Sequence, residues 1–67
     1  MKGKRKIVLV YSRIVDYIAY RAFACDNGEL LWAGGFKKTQ DYMAGVKMIQ
    51  EEIINAGHDL IATYNNN

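Results

Sequence analysis

The chain has 67 residues, 51% of them apolar and 24% charged, with a formal net charge of +2. That length holds one domain, and the balance is that of a folded globule; no apolar run approaches the roughly 20 residues of a membrane span. A single cysteine, Cys25, and a single histidine, His58, exclude an intrachain disulfide and a Cys/His zinc cluster. A domain this short buries only about 60% of its unfolded surface, so self-association is the expected supplement to its stability.

Residues 1–6 form a basic N-terminal arm, with Lys2, Lys4, Arg5 and Lys6 crowded together. Such an arm either touches nucleic acid or an acidic partner, or is a solvated tail that blunts an edge strand. The apolar stretch behind it, Ile7 to Val10, is too short for a signal-peptide core, and a lone thiol fits a reducing compartment, so a cytoplasmic location is expected. Ile7 to Tyr11 reads as a first strand buried on both faces, and Ser12 to Asp16 as its connection to the next.

Tyr17 to Cys25 and Glu29 to Phe36 flank Asp26-Asn27-Gly28-Glu29, and Asn-Gly between apolar runs is a strong hairpin signal. With Asn27 and Gly28 as a two-residue loop, Cys25 faces Leu30 and Phe23 faces Trp32. Alternation then places Tyr17, Ala19, Arg21, Phe23, Cys25, Leu30, Trp32 and Phe36 on one face. The other face, with Ile18, Tyr20, Ala22, Ala24, Leu31, Ala33 and Gly35, is mostly small and suits the close approach of a helix. Gly34-Gly35 is expected to mark a bulge or a strand ending.

Thr39 is a plausible helix N-cap, with Asp41 in the first turn, where a negative charge favours the dipole. Tyr42, Val46, Ile49 and Ile53 recur at helical spacing, Met43 and Ile54 widen the stripe, and Gly57 reads as the stop. Leu60 to Tyr64 is a short fourth strand, and residues 65–67 read as a frayed tail. The predicted fold class is α+β: a three-stranded antiparallel meander, one helix packed on one face, and a short fourth strand, in the order β-β-β-α-β. One helix cannot cover both faces of such a sheet.

The search for catalytic constellations yields none. Ser12 lacks the glycine context of a nucleophile elbow, and no Gly-Lys-Thr pattern follows Gly34-Gly35. Asp26 and Glu29 flank a tight turn, where acids are common for turn reasons alone. Cys25 reads as a packing residue and His58 as a companion of the helix end, so neither a metal nor a cofactor is expected.

The order of elements resembles the first half of the ribonuclease H-like fold, in which a long hairpin precedes a helix and a further parallel strand. The stretch Ala22-Phe23-Ala24-Cys25-Asp26-Asn27-Gly28-Glu29-Leu30-Leu31-Trp32-Ala33-Gly34-Gly35 is similar to its middle hairpin, and Asn55 to Tyr64 to its helix-to-strand passage. Small truncated relatives of this layout include the HicB-type antitoxin domains and the YegP-like domains, and the Asn27-Gly28-Glu29 turn and Gly45 in the helix resemble the latter. Such domains commonly pair with a second copy, and the HicB type binds a small toxin ribonuclease. In the nucleases, two metal ions are held by acids at places that here look like Tyr11 or Ser12, Met43 to Gly45, and Asn65. None is acidic, so the resemblance implies a non-catalytic version.

The expectation is therefore a non-catalytic interaction domain of a regulatory or inhibitor type, acting through protein contacts as a homodimer. Phe23, Leu30, Trp32, Phe36 and Arg21 would carry the contact, since an uncovered apolar face must meet a protein partner or a second copy. The alternative is a small nucleic-acid binder using Lys4, Arg5, Lys6 and Arg13 together with the sheet aromatics, which can stack bases.

Overall fold

The protein, seen in a computed structural model, is described over residues 4–66; Lys2 of the basic arm lies outside the described residues. Five elements follow one another: β1 (Lys6–Ile14), β2 (Tyr17–Ala24), β3 (Leu30–Lys37), α1 (Tyr42–Asn55) and β4 (Asp59–Asn65). They form one α+β unit with a single four-stranded sheet in the order β3-β2-β1-β4. The first three strands are antiparallel neighbours, and β4 joins β1 in parallel after the helical crossover. β1 runs longer than its apolar core, because Ser12 to Ile14 continue the ladder opposite Ala19 to Tyr17.

The core lies between α1 and one face of the sheet. Ile7 and Leu9 of β1, Ile18 of β2 and Ile53 of α1 are its largest fully buried side chains, with Tyr11, Ala22, Ala24 and Val46 beside them. Alternation along β1 and β2 produces this set directly, since odd residues of β1 pair with even residues of β2 on the helix side. The helical stripe supplies Val46 and Ile53 as buried residues and Tyr42 and Ile49 as partly buried ones, whereas Met43 and Ile54 at its margins are half exposed.

The helix begins at Tyr42, later than the Thr39 cap implies. Asp41 is the N-cap but makes no side-chain capping bond, and the Thr39 hydroxyl instead accepts from the Asp41 N–H at 3.3 Å. Its C-terminus follows the sequence closely. Gly57 has φ +92°, its N–H donates to the Ile54 carbonyl, and the His58 N–H donates to that of Ile53. This crossed pair is the Schellman arrangement, which satisfies the last carbonyls and turns the chain into β4. Of the tail expected over residues 65–67, Asn65 closes β4, the Asn66 N–H donates to the Tyr11 carbonyl at 2.8 Å, and Asn67 lies outside the described residues.

The hairpin between β2 and β3 departs from the two-residue expectation. Ala24 and Glu29 close a four-residue loop, Ala24 N–H donating to the Glu29 carbonyl at 2.8 Å and Gly28 N–H to the Ala24 carbonyl at 2.8 Å. Gly28 takes the left-handed conformation at φ +73°. Phe23 therefore faces Leu30, and an irregularity at Leu31 then sets Ala22 opposite Trp32, Tyr20 opposite Gly34 and Ile18 opposite Phe36. A one-residue slip exchanges faces. Trp32 and Phe36 thus lie on the helix side, while Ala33 and Gly35 lie on the other, the reverse of the sequence expectation. Gly34-Gly35 sits inside β3, with the Tyr20 ring over Gly34 and the Tyr17 ring over Gly35, and the bulge falls at Leu31 instead.

The tight turn between β1 and β2 consists of Val15 and Asp16, and Val15 has φ +57° with its side chain 88% exposed. The left-handed region costs an L-residue about 1–2 kcal/mol, and Val15 recovers nothing by packing. Replacement of Val15 by glycine is expected to raise the unfolding free energy by about 1 kcal/mol, read as a higher urea midpoint with unchanged slope. An unchanged or lower midpoint would contradict the strain at this turn.

Candidate functional site

The face of the sheet away from α1 has no covering element among the described residues. Its side chains form four cross-strand rows: Leu30, Phe23, Val8 and Ala62; Ala33, Arg21, Val10 and Tyr64; Gly35, Ala19 and Ser12; and Lys37, Tyr17 and Ile14. Leu30, Tyr17, Ile14 and Tyr64 are about half exposed, and Phe23, Val8 and Val10 are partly buried by one another. A shallow trough of about 340 Å³ runs among Val10, Ser12, Ile14, Ala19, Arg21 and Phe23. Arg21 stands exposed in the middle, between Val10 and Ala33, and forms no hydrogen bond or ion pair with any described residue.

The residues expected to form one contact surface divide between the two sides. Phe23, Leu30 and Arg21 are on the open face. Trp32 lies beneath the flank of the helix, where its indole N–H donates to a Glu52 carboxylate oxygen at 3.3 Å and its ring meets His58 edge-on at 5.5 Å. Phe36 packs against the helix at Gly45, where a Cβ would come within 2.7 Å of the ring, and lies 6.4 Å from the Tyr20 ring. In their place the open face has Val8, Val10, Ile14, Tyr17 and Tyr64. Period-two alternation along β1 already marks Val8, Val10 and Ile14 as one face; reading that strand as buried on both sides hid them.

The basic residues do not form one patch either. Arg5 holds the β2–β3 loop, donating to Glu29 at 3.1 Å, Asp26 at 3.3 Å and the Asn27 side-chain oxygen at 3.3 Å. Its hydrogen bonds to Glu29 and Asp26 raise the guanidinium pKa above its ordinary value. The Asn27 oxygen also accepts from the Glu29 N–H at 3.0 Å, so one Asx turn and one arginine fix the whole loop. Lys4 and Lys6 are exposed at the start of β1, whereas Arg13 lies near its far end, roughly 23 Å along the strand from Lys6 and on the opposite face of the sheet. Cys25, expected to pack inside, is exposed in the loop beside Lys4 and Lys6.

Three positions distant in sequence meet at the far end of the core. Tyr11 is the ladder partner of Asn65, and its hydroxyl donates to the Met43 sulfur at 3.7 Å. This is where the ribonuclease H-like resemblance puts metal-binding acids, and the side chains there are a phenol, a thioether and an amide. Among the described residues, no three His, Cys, Asp or Glu side chains come together as a metal site, and no helix is long and apolar enough to cross a membrane. Comparison of the chain with protein-family models, with curated proteins and with solved structures finds no match.

Because Arg5 is tied to the loop, its removal is expected to destabilise the fold. Arg5→Ala should lower the thermal midpoint in dilute buffer, with the deficit shrinking in high salt as the lost ion pairs are screened in the parent protein. A midpoint indifferent to the substitution at low salt would show that the clasp contributes nothing.

Proposed function

We propose that this chain is a non-catalytic protein-interaction domain of a regulatory or inhibitor type, which pairs with a second copy and offers its open sheet face to a partner protein. The carrying observation is that face: apolar side chains from all four strands surround Arg21, which has no hydrogen bond or ion pair with any described residue, and no described element covers them. Exposed contiguous apolar surface rimmed by polar groups is the mark of an interaction site. A Cα radius of gyration of 12.1 Å supports the same reading, since a rounded globule of 67 residues has about 11 Å. A thin slab of one sheet and one helix is an incomplete sandwich.

The absence of catalysis rests on the residue inventory. A two-metal clamp needs carboxylates, and Tyr11, Met43 and Asn65 have none, which favours a non-catalytic variant of the ribonuclease H-like layout. Among the described residues, neither sheet face gathers a nucleophile with a base. The nucleic-acid reading loses support from the engagement of Arg5 and from the separation of Lys4 and Lys6 from Arg13. We place the protein in the cytoplasm, where the exposed Cys25 stays reduced.

Sedimentation equilibrium in reducing buffer is expected to return twice the 7.6 kDa chain mass at micromolar concentration. Anisotropy of labelled single- and double-stranded oligonucleotides at low salt should show no binding. A strict monomer would overturn the pairing, and tight, salt-sensitive oligonucleotide binding would overturn the protein-interaction reading.

A further inference from the structure

We propose that the second copy adds to the free edge of β3, antiparallel and about a two-fold axis at Gly34, so that two sheets join into one of eight strands. The inference rests on the pairing reading above and assigns its surface.

β3 is an outer strand, so every second residue turns an unpaired N–H and C=O outward. From Leu30 to Phe36 it has no charged residue and no proline, the devices by which proteins usually blunt such an edge. Its ladder is regular from Trp32 to Lys37. The other outer strand, β4, is interrupted between Leu60 and Ala62, which leaves a shorter regular run. In the middle of β3, Ala33, Gly34 and Gly35 project almost nothing that would hinder a neighbouring backbone.

A second observation points to the same edge. α1 lies over β1 and β4, so the helix side of β3 is only partly sheltered. A groove of about 360 Å³ remains there, lined by Tyr20, Phe36, Tyr42, Gly45, Met48 and Ile49, and the Met48 side chain is 68% exposed. A two-fold axis perpendicular to the sheet keeps both helices on one side. It brings the two grooves together across the new seam, where the exposed methionines and Tyr42 rings can close them. With the axis at Gly34, Trp32 of one copy faces Phe36 of the other, and Ala33 faces Gly35. Large therefore meets large on the helix side, and small meets small on the open side.

Charge argues against stacking the open faces instead. Arg21 stands at the centre of that face with no ion pair to any described residue, so face-to-face packing would bring two cations together with no counter-charge from the described residues. Edge pairing keeps the two arginines about 16 Å apart, three strand spacings across and two residues along, and leaves both exposed. The joined open faces then form one surface twice as wide, suited to a partner that brings carboxylates to the two Arg21 side chains.

The test places like charges beside the axis. Ala33 is exposed, and its side chain and that of the second copy would lie about 7–8 Å apart on the open side. Wild type, Ala33→Glu, Ala33→Lys and an equimolar mixture of the two variants are compared by sedimentation velocity in reducing buffer, with Ile61→Glu on the opposite edge as a control. The expected result is a dimeric wild type and a dimeric Ile61→Glu. Each Ala33 variant alone should dissociate about tenfold or more readily, and the mixture should recover the dimer. Recovery on mixing also shows that the variants are folded. A monomeric wild type would overturn the pairing reading itself. A dimer that survives both Ala33 charges, is lost in Ile61→Glu, or does not return on mixing would overturn the β3 assignment alone.

Discussion

A lone α-helix is about 10 Å across, whereas four hydrogen-bonded strands span nearly twice that width. One 14-residue helix can therefore shelter one side of this sheet at most, and here it does so unevenly. Because the crossover from β3 must bring β4 back beside β1, α1 is drawn over the β1–β4 half. The uncovered face and the partly sheltered β3 margin both follow from that placement. Ile53 and Val46, the deepest residues of the helix, are matched to Ile7, Leu9 and Ile18 at the centre of the sheet and have nothing to spare for its rim.

Much of this was legible from residue order alone. The helical stripe from Tyr42 to Ile53, the stop at Gly57 and the small side chains of Ala22 and Ala24 under the helix all declare themselves by spacing. The hairpin was legible in its position but not in its geometry. Asn27-Gly28 fits a two-residue turn, yet the loop has four residues, and Arg5, just before β1, binds Asp26, Asn27 and Glu29 of it at once. A contact between residues more than 20 positions apart leaves no local signal. The irregularity at Leu31 is equally silent, and it alone decides which side Trp32 and Phe36 occupy.

The consequences for function are specific. Moving Trp32 and Phe36 beneath the helix removes two rings from the open face, but the β1 and β4 side chains keep it apolar, so the proposed interaction surface rests on them instead. Arg21 changes the kind of partner. An apolar field with a central unpaired cation discriminates against a copy of itself and in favour of a surface that brings a carboxylate. In the proposed assembly, self-association belongs to the edge and recognition of another protein to the face. The neighbourhood of Tyr11, Met43 and Asn65 is the counterpart on the other side: where the ribonuclease H-like resemblance would put acids, the side chains are a buried phenol, a half-exposed thioether and an exposed amide.

The claim on which the account turns is that the outward backbone groups of β3 are paired in solution. Amide hydrogen exchange resolved by residue, recorded at high and low protein concentration, reads this directly. The account predicts that alternate amides between Trp32 and Lys37 are protected like those of β2 when the protein is concentrated, and lose protection on dilution. Fast exchange of those amides at every concentration, with the remainder of the sheet protected, would contradict it.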